Sequence, residues 1–140
     1  MTSVHDCRLL ELPRILRPEG NITPVEGGVH VPFDIERVYY LYDIPAGVAR
    51  AGHAHRKLEQ LFVCALGSFT IILRDGWEER WIELNRAHVA LYVPPMIWRE
   101  LGNFSAGSIC VVLASRHFEQ ADYIRDYREF EALKTAERSA

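Results

Sequence analysis

Two histidines, His53 and His55, stand one residue apart inside GVARAGHAHRKLEQLFVCALG, the stretch from Gly47 to Gly67. In an extended strand alternate side chains share a face, so the two imidazoles point the same way. Side by side they can hold a metal, move a proton or pack. A catalytic transition metal needs at least three well-placed N, O or S ligands, and only these two are supplied. Gln60 is neutral and a poorer ligand than a carboxylate, with Glu59 beside it as the alternative, and Arg99 in YVPPMIWRELG brings a cation that repels a metal. No metal is expected. Packing alone is disfavoured too, because Arg37, Tyr39, Arg50, Gln60 and Arg99 would surround the pair, and burying so many polar groups without a ligand is costly. Proton transfer remains. Imidazole titrates near neutral pH, so it can remove a proton in one step and return one in the next. Abstraction beside a carbonyl develops an enediolate oxyanion that needs donors. Tyr39, Arg50 and the second imidazole can supply them.

The elements that must hold these groups are mostly strands. Short apolar or alternating runs recur between turn signals: CRLLEL, VHVPF, IERVYYLYDI, LEQLFVCAL, SFTIILRDG, WEERWIEL, HVALYV and SICVVLAS. Many short strands at this spacing predict an all-β sandwich or barrel. Gly67-Ser68 and Asp75-Gly76 sit where hairpin turns are expected, which predicts antiparallel pairing of consecutive strands. Counting back from Gly67 along an unbroken strand puts Gln60 inside, although a bulge could turn Glu59 inward instead. Alternation sets Arg37 with Tyr39 on one face and Tyr40 with Tyr42 on the other. Helical spacing is confined to the tail, FEQADYIRDYREFEAL, where Tyr123, Ile124, Tyr127, Phe130 and Leu133 recur on one side. That tail is expected to pack against the barrel, with Arg125 able to reach a ligand. LRPEGNITPVEGGVHVPFD is rich in Gly and Pro and predicts a loop with edge strands.

The 140 residues, 49% hydrophobic, suit one domain over 1–140 with one sizeable core. Sixteen basic and nineteen acidic residues are scattered without blocks, for a net charge of −3, which argues against nucleic acid and anionic membranes as partners. There is no 18-residue apolar run, and MTSVHDCRLLELPRI has charges where a signal peptide needs apolar residues, so a cytoplasmic protein is expected. Cys7, Cys64 and Cys110 read as reduced core residues.

The arrangement of Gly47, five residues, His53-Ala54-His55, four residues, Gln60, six residues and Gly67 resembles the first motif of the cupin superfamily, with Gln60 where a glutamate is usual. The implied fold is a cupin double-stranded β-helix, a jelly-roll barrel with a short C-terminal helix. IERVYYLYD, RAGHAHRKLEQLFVCALGSF, LYVPPMIW and VVLASRHFEQADYIRDYREF together resemble the nucleotide-linked sugar 3,4-ketoisomerases, the WxcM-like branch of the cupins, over roughly residues 30–133. The resemblance implies a metal-independent, cofactor-free isomerase that converts dTDP-4-keto-6-deoxyglucose into the 3-keto sugar through a cis-enediol, in deoxy amino sugar biosynthesis. It assigns His55 as base, His53 as its companion and Tyr39 as a group near the reacting carbons. Arg37, Arg50, Gln60, Trp98 and Arg99 become substrate-binding residues, and Arg37 or Arg50 could instead hold the diphosphate. A homodimer with exchanged N-terminal strands is also implied. The alternatives are a 3,5-epimerase on a related keto sugar nucleotide and a non-catalytic sugar-nucleotide-binding cupin.

Overall fold

The computed structural model describes residues 1–50 and 52–140. Its strands are β1 (Arg8–Glu11), β2 (Arg37–Leu41), β3 (Arg50–His55), β4 (Gln60–Leu66), β5 (Phe69–Arg74), β6 (Glu79–Leu84), β7 (Val89–Val93), β8 (Trp98–Gly102), β9 (Ile109–Ala114) and β10 (Tyr123–Ile124), followed by helix α1 (Tyr127–Ser139). They form two five-stranded antiparallel sheets, ordered β1-β7-β4-β9-β2 and β10-β3-β8-β5-β6. This is the expected jelly roll of two facing sheets with one terminal helix.

Alternation along the strands builds the layer between the sheets. Phe69, Ile71 and Leu73 of β5 turn inward and are fully buried, and they join Phe62, Leu91, Val93 and Val112 of the facing sheet in one cluster. Burying a side chain of this size contributes about 1.5–3 kcal/mol, which makes this cluster the main source of stability. A second cluster lies on the outer face of the first sheet. There Leu12, Val31 and Phe33 from the long N-terminal connection cover Leu61, Tyr92 and Leu113. That connection forms only isolated bridges, Ile15 to Ile22 and Gly27 to Val31, where VHVPF predicted a strand.

The expected hairpin at Gly67-Ser68 does not form. β4 pairs with β7 and β9, whereas β5 pairs with β6 and β8, so the chain changes sheets at Gly67. The crossing needs glycine: φ is +80°, and a Cβ there would stand 2.5 Å from Ser105 Oγ and 2.8 Å from Ser108 Cβ. The turn at Asp75-Gly76 does join paired strands, β5 to β6, and Asp75 Oδ1 accepts from Trp77 N and Glu78 N at 2.9 and 2.8 Å.

The tail also departs from its sequence pattern. Residues 123 and 124 pair with β3, and the helix starts only after Asp126, whose carboxylate accepts from Arg128 N at 2.8 Å and Glu129 N at 3.3 Å. Tyr and Ile favour strands as much as helices, and an available sheet edge decides between them. α1 lays Tyr127, Phe130 and Leu133 against Trp98 of β8. Lys134 on the same helix is fully buried and donates to Thr2 O at 2.7 Å, which ties the two ends of the chain together. No helix among the described residues is long and apolar enough to cross a membrane.

Candidate active site

Between the sheets lies a cavity of about 480 Å³ bordered by Arg37, Tyr39, Arg50, His53, Arg99 and Tyr123, with Phe62, Leu101 and Val112 among its apolar residues. Five strands set the polar groups in place, β10 carrying Tyr123. β3 and β8 run antiparallel with His53 opposite Arg99, and the register shifts between Arg50 and His53. β2 contributes Arg37 and Tyr39 two residues apart on one face, as alternation predicts. β4 turns Gln60 inward in step with Phe62, so Gln60 rather than Glu59 belongs to the site; Glu59 instead accepts from Tyr92 Oη at 2.6 Å.

A hydrogen-bonded chain ties these strands together. Arg99 is 2% exposed and donates through Nη1 to the Gln60 side-chain oxygen, and through Nε and Nη2 to Ile97 O at 3.2 and 3.0 Å. Gln60 Nε2 donates to Tyr39 Oη at 2.9 Å. Burial pulls the Arg99 pKa down to about 10, which leaves it a cation at neutral pH. Burial likewise raises the Tyr39 phenol above its ordinary value, so it keeps its proton. A fixed guanidinium in a poorly hydrated wall is a strong stabiliser of an oxyanion.

The two histidines occupy different environments. His53 borders the cavity, whereas His55 is 1% exposed and lies behind it, the rings edge-on at 4.9 Å. His55 Nδ1 lies 3.2 Å from Asp122 Oδ2, and the same carboxylate accepts from Lys57 N and Leu58 N at 2.8 and 3.3 Å. A carboxylate at Nδ1 fixes the proton there and leaves the lone pair on Nε2. Nε2 is buried with no hydrogen-bond partner among the described residues. Desolvation, reinforced by Arg99 and then His53, lowers the His55 pKa to about 2, so the ring is neutral at any ordinary pH. Tyr123 packs against both imidazoles, at 4.4 Å from His55 and 5.1 Å from His53, and the Arg125 guanidinium lies over the Tyr123 ring at 4.3 Å.

Of the residues singled out in the sequence, His53, Tyr39, Arg37, Arg50 and Arg99 border one cavity, together with Arg125, and Gln60 braces two of them from behind. His55 is withdrawn from the cavity by burial. Trp98 does not reach it: neighbouring strand residues face opposite sides, so Arg99 inside places Trp98 outside, 5.1 Å from Tyr127 and 5.8 Å from Phe130. Sequence reasoning missed Asp122 and Tyr123, which it placed on a packing helix. No group of three or more His, Cys, Asp or Glu side chains among the described residues could hold a metal ion.

A jelly roll carrying a histidine, a tyrosine and a buried arginine at an interior cavity is a small cupin-fold protein with a site for a polar organic ligand. Residues 5–135 match the family model described as FdtA: WxcM-like, C-terminal. The chain is 39% identical, over 123 residues and 88% of each chain, to a TDP-4-oxo-6-deoxy-α-D-glucose-3,4-oxoisomerase from Aneurinibacillus thermoaerophilus. It superposes on the crystal structure of QdtA, a sugar 3,4-ketoisomerase from Thermoanaerobacterium thermosaccharolyticum in complex with TDP, with a TM-score of 0.93 at 37% identity, covering 96% of this chain and 98% of that one. For the WlaRB TDP-quinovose 3,4-ketoisomerase from Campylobacter jejuni the TM-score is 0.88 at 42% identity, with 91% and 98% covered. The chain belongs to the FdtA, WxcM-like family.

Proposed function

We propose that this chain is an isomerase that moves the ketone of TDP-4-keto-6-deoxyglucose from C4 to C3. The observation that carries the reading is the meeting of His53, the Tyr39 hydroxyl and the Arg99 cation around one cavity, in a chain so similar to a 3,4-oxoisomerase. About 480 Å³ suits a small ligand such as a hexose with part of its nucleotide.

We take His53 as the base in place of His55, because His53 borders the cavity while His55 is covered. His53 removes the C3 proton, the C3–H electrons form a C3–C4 double bond, and the C4 oxygen gains charge near Arg99 and Tyr39. The imidazolium then delivers a proton to C4 as the carbonyl forms at C3, the proton leaving O3 making good the one that O4 takes up. His55, locked by Asp122 in one tautomer, backs the His53 ring without adding a second positive charge. Arg37, Arg50 and Arg125 are suited to the diphosphate, since guanidinium groups match phosphate oxygens in geometry and charge. The reaction needs no metal by this route, and chelator treatment should leave the rate unchanged; a loss restored by a divalent cation would overturn that part.

The test is incubation with TDP-4-keto-6-deoxyglucose in deuterated buffer, followed by NMR of the sugar carbons. A 3-keto product is expected, with deuterium at C4 in those turnovers in which the His53 imidazolium exchanges with solvent before it delivers its proton, and its couplings report the configuration there. Deuterium at C5 with the ketone still at C4 would make the chain an epimerase. Binding with neither a 3-keto product nor exchange would make it a sugar-nucleotide-binding cupin.

We propose further that the chain works as a homodimer. An apolar groove on the outer face of the first sheet, lined by Val25, Ile35, Val38, Val63, Val111 and Leu113, supports this reading, with Tyr40 and Tyr42 exposed alongside. Within one chain β1 already pairs with β7, so exchange of N-terminal strands would substitute the partner's strand on the same edge. Sedimentation giving a monomer at micromolar concentration would overturn the dimer. A cytoplasmic location goes with this substrate, whose diphosphate charge keeps it from crossing a bilayer unaided.

A further inference from the structure

The amide at position 60 has a directional role. Arg99 can only donate, and its Nη1 donates to the Gln60 side chain, so the oxygen end of that amide must face Arg99. The nitrogen end then faces Tyr39 and donates to its hydroxyl oxygen at 2.9 Å. A phenol that accepts along this line must send its own proton in another direction, and the ring borders the cavity. We infer that Gln60 is a positioning residue, which aims the Tyr39 O–H into the cavity so that it can donate to the sugar oxygen that gains charge. The inference rests on the ketoisomerase reading of the same cavity.

The proton balance closes. As His53 takes the proton from C3, the C4 carbonyl π pair moves to O4, and O4 receives the Tyr39 proton. The phenolate is reprotonated from O3–H while the C3 carbonyl forms, and C4 collects the proton held by His53. Tyr39 thus carries a proton from one sugar oxygen to the next, and His53 carries one from carbon to carbon. Burial supports the role, since it keeps the phenol protonated until an oxyanion develops beside it. A carboxylate at position 60 would do the opposite. Having only acceptors, it would take hydrogen bonds from Arg99 and from Tyr39 together, turn the phenolic proton back into the wall and neutralise the cation.

The experiment compares Gln60→Glu, Gln60→Met and Tyr39→Phe, alone and combined, on TDP-4-keto-6-deoxyglucose, with melting temperature measured for each. Gln60→Glu should lower kcat about 10²-fold, the usual effect of losing one oxyanion donor, with KM little changed. In a Tyr39→Phe background the same change should cost less than about 3-fold, because the group through which it acts is gone. Gln60→Met should melt lower than Gln60→Glu, because it leaves the buried Arg99 Nη1 without an acceptor, yet turn over faster. A merely structural Gln60 predicts rates that follow melting temperature. That order, or full multiplication of the Gln60→Glu and Tyr39→Phe effects, would overturn the inference while leaving the reaction assigned. A parent protein that leaves the sugar unchanged would remove the reaction itself.

Discussion

One barrel interior holds two kinds of packing, and β4 passes through both. Its inward positions run Gln60, Phe62, Cys64: the first is hydrogen-bonded to side chains of β2 and β8, and the other two are packed with Ile71, Phe69 and Phe104. In the apolar half contacts are non-directional, and a similar volume suffices. In the polar half each group fixes the orientation of the next, from Ile97 through Arg99 and Gln60 to Tyr39 and from Asp122 to His55. The apolar half supplies stability; the polar half spends orientation on chemistry, and single-atom changes there should show in rate before they show in folding.

The contrast breaks most sharply at His53. If His53 is the general base proposed above, His53→Asn should lower kcat by about 10²- to 10⁴-fold with TDP binding by calorimetry nearly unchanged. Equal activity would return the base to another group.

Acid probes the same half through stability. An unfolded chain protonates His55 near 6.5, whereas the folded ring resists until about 2. The folded pKa is depressed, so below 6.5 the unfolded state gains a proton that the native state refuses, and stability is lost as pH falls. Above 6.5 the contribution is complete; beneath it this one group removes about 1.4 kcal/mol per pH unit. Urea midpoints from pH 7 to pH 4.5 should fall more steeply for the parent than for His55→Asn, and parallel slopes would place the sensitivity elsewhere.

A smaller effect is expected at Asp122. Asp122→Asn puts an amide nitrogen among three donors, His55 Nδ1–H, Lys57 N and Leu58 N, and should cost about 10-fold in kcat by loosening the ring behind His53. Steady-state kinetics check it, and an unchanged rate would make the carboxylate purely structural. Ile71→Val in the apolar half should cost about 0.5–1.5 kcal/mol in chemical denaturation and leave kcat within about twofold. A large rate effect there would erase the distinction between the halves.

Much of this was legible beforehand because it depends on alternation. A run such as SFTIILRDG fixes which residues are inside, and the same rule put Gln60 inward with Tyr39 beside Arg37. Applied once more it excludes Trp98, since Arg99 and Trp98 are neighbours on one strand and only one can face the cavity. Partner choice is not encoded in alternation. Gly67-Ser68 has hairpin composition and yet crosses between sheets, because the glycine is required by crowding against Ser105 and Ser108. Asp122 was hidden for a different reason. Within QADYIRDYREF it has the spacing of a solvated helix residue, and only the pairing of residues 123 and 124 with β3 carries it under His55.

That two-residue strand sets when the enzyme comes into being. Asp122 lies 67 residues after His55, so at a synthesis rate of about 5–20 residues per second the ribosome takes about 3–13 s to supply it. Until then the nascent barrel wall lacks the carboxylate that fixes one imidazole and the Tyr123 ring that packs on both. Both histidines therefore acquire their last neighbours only after most of the apolar interior has been synthesised, so the polar wall is finished later than the core that carries it.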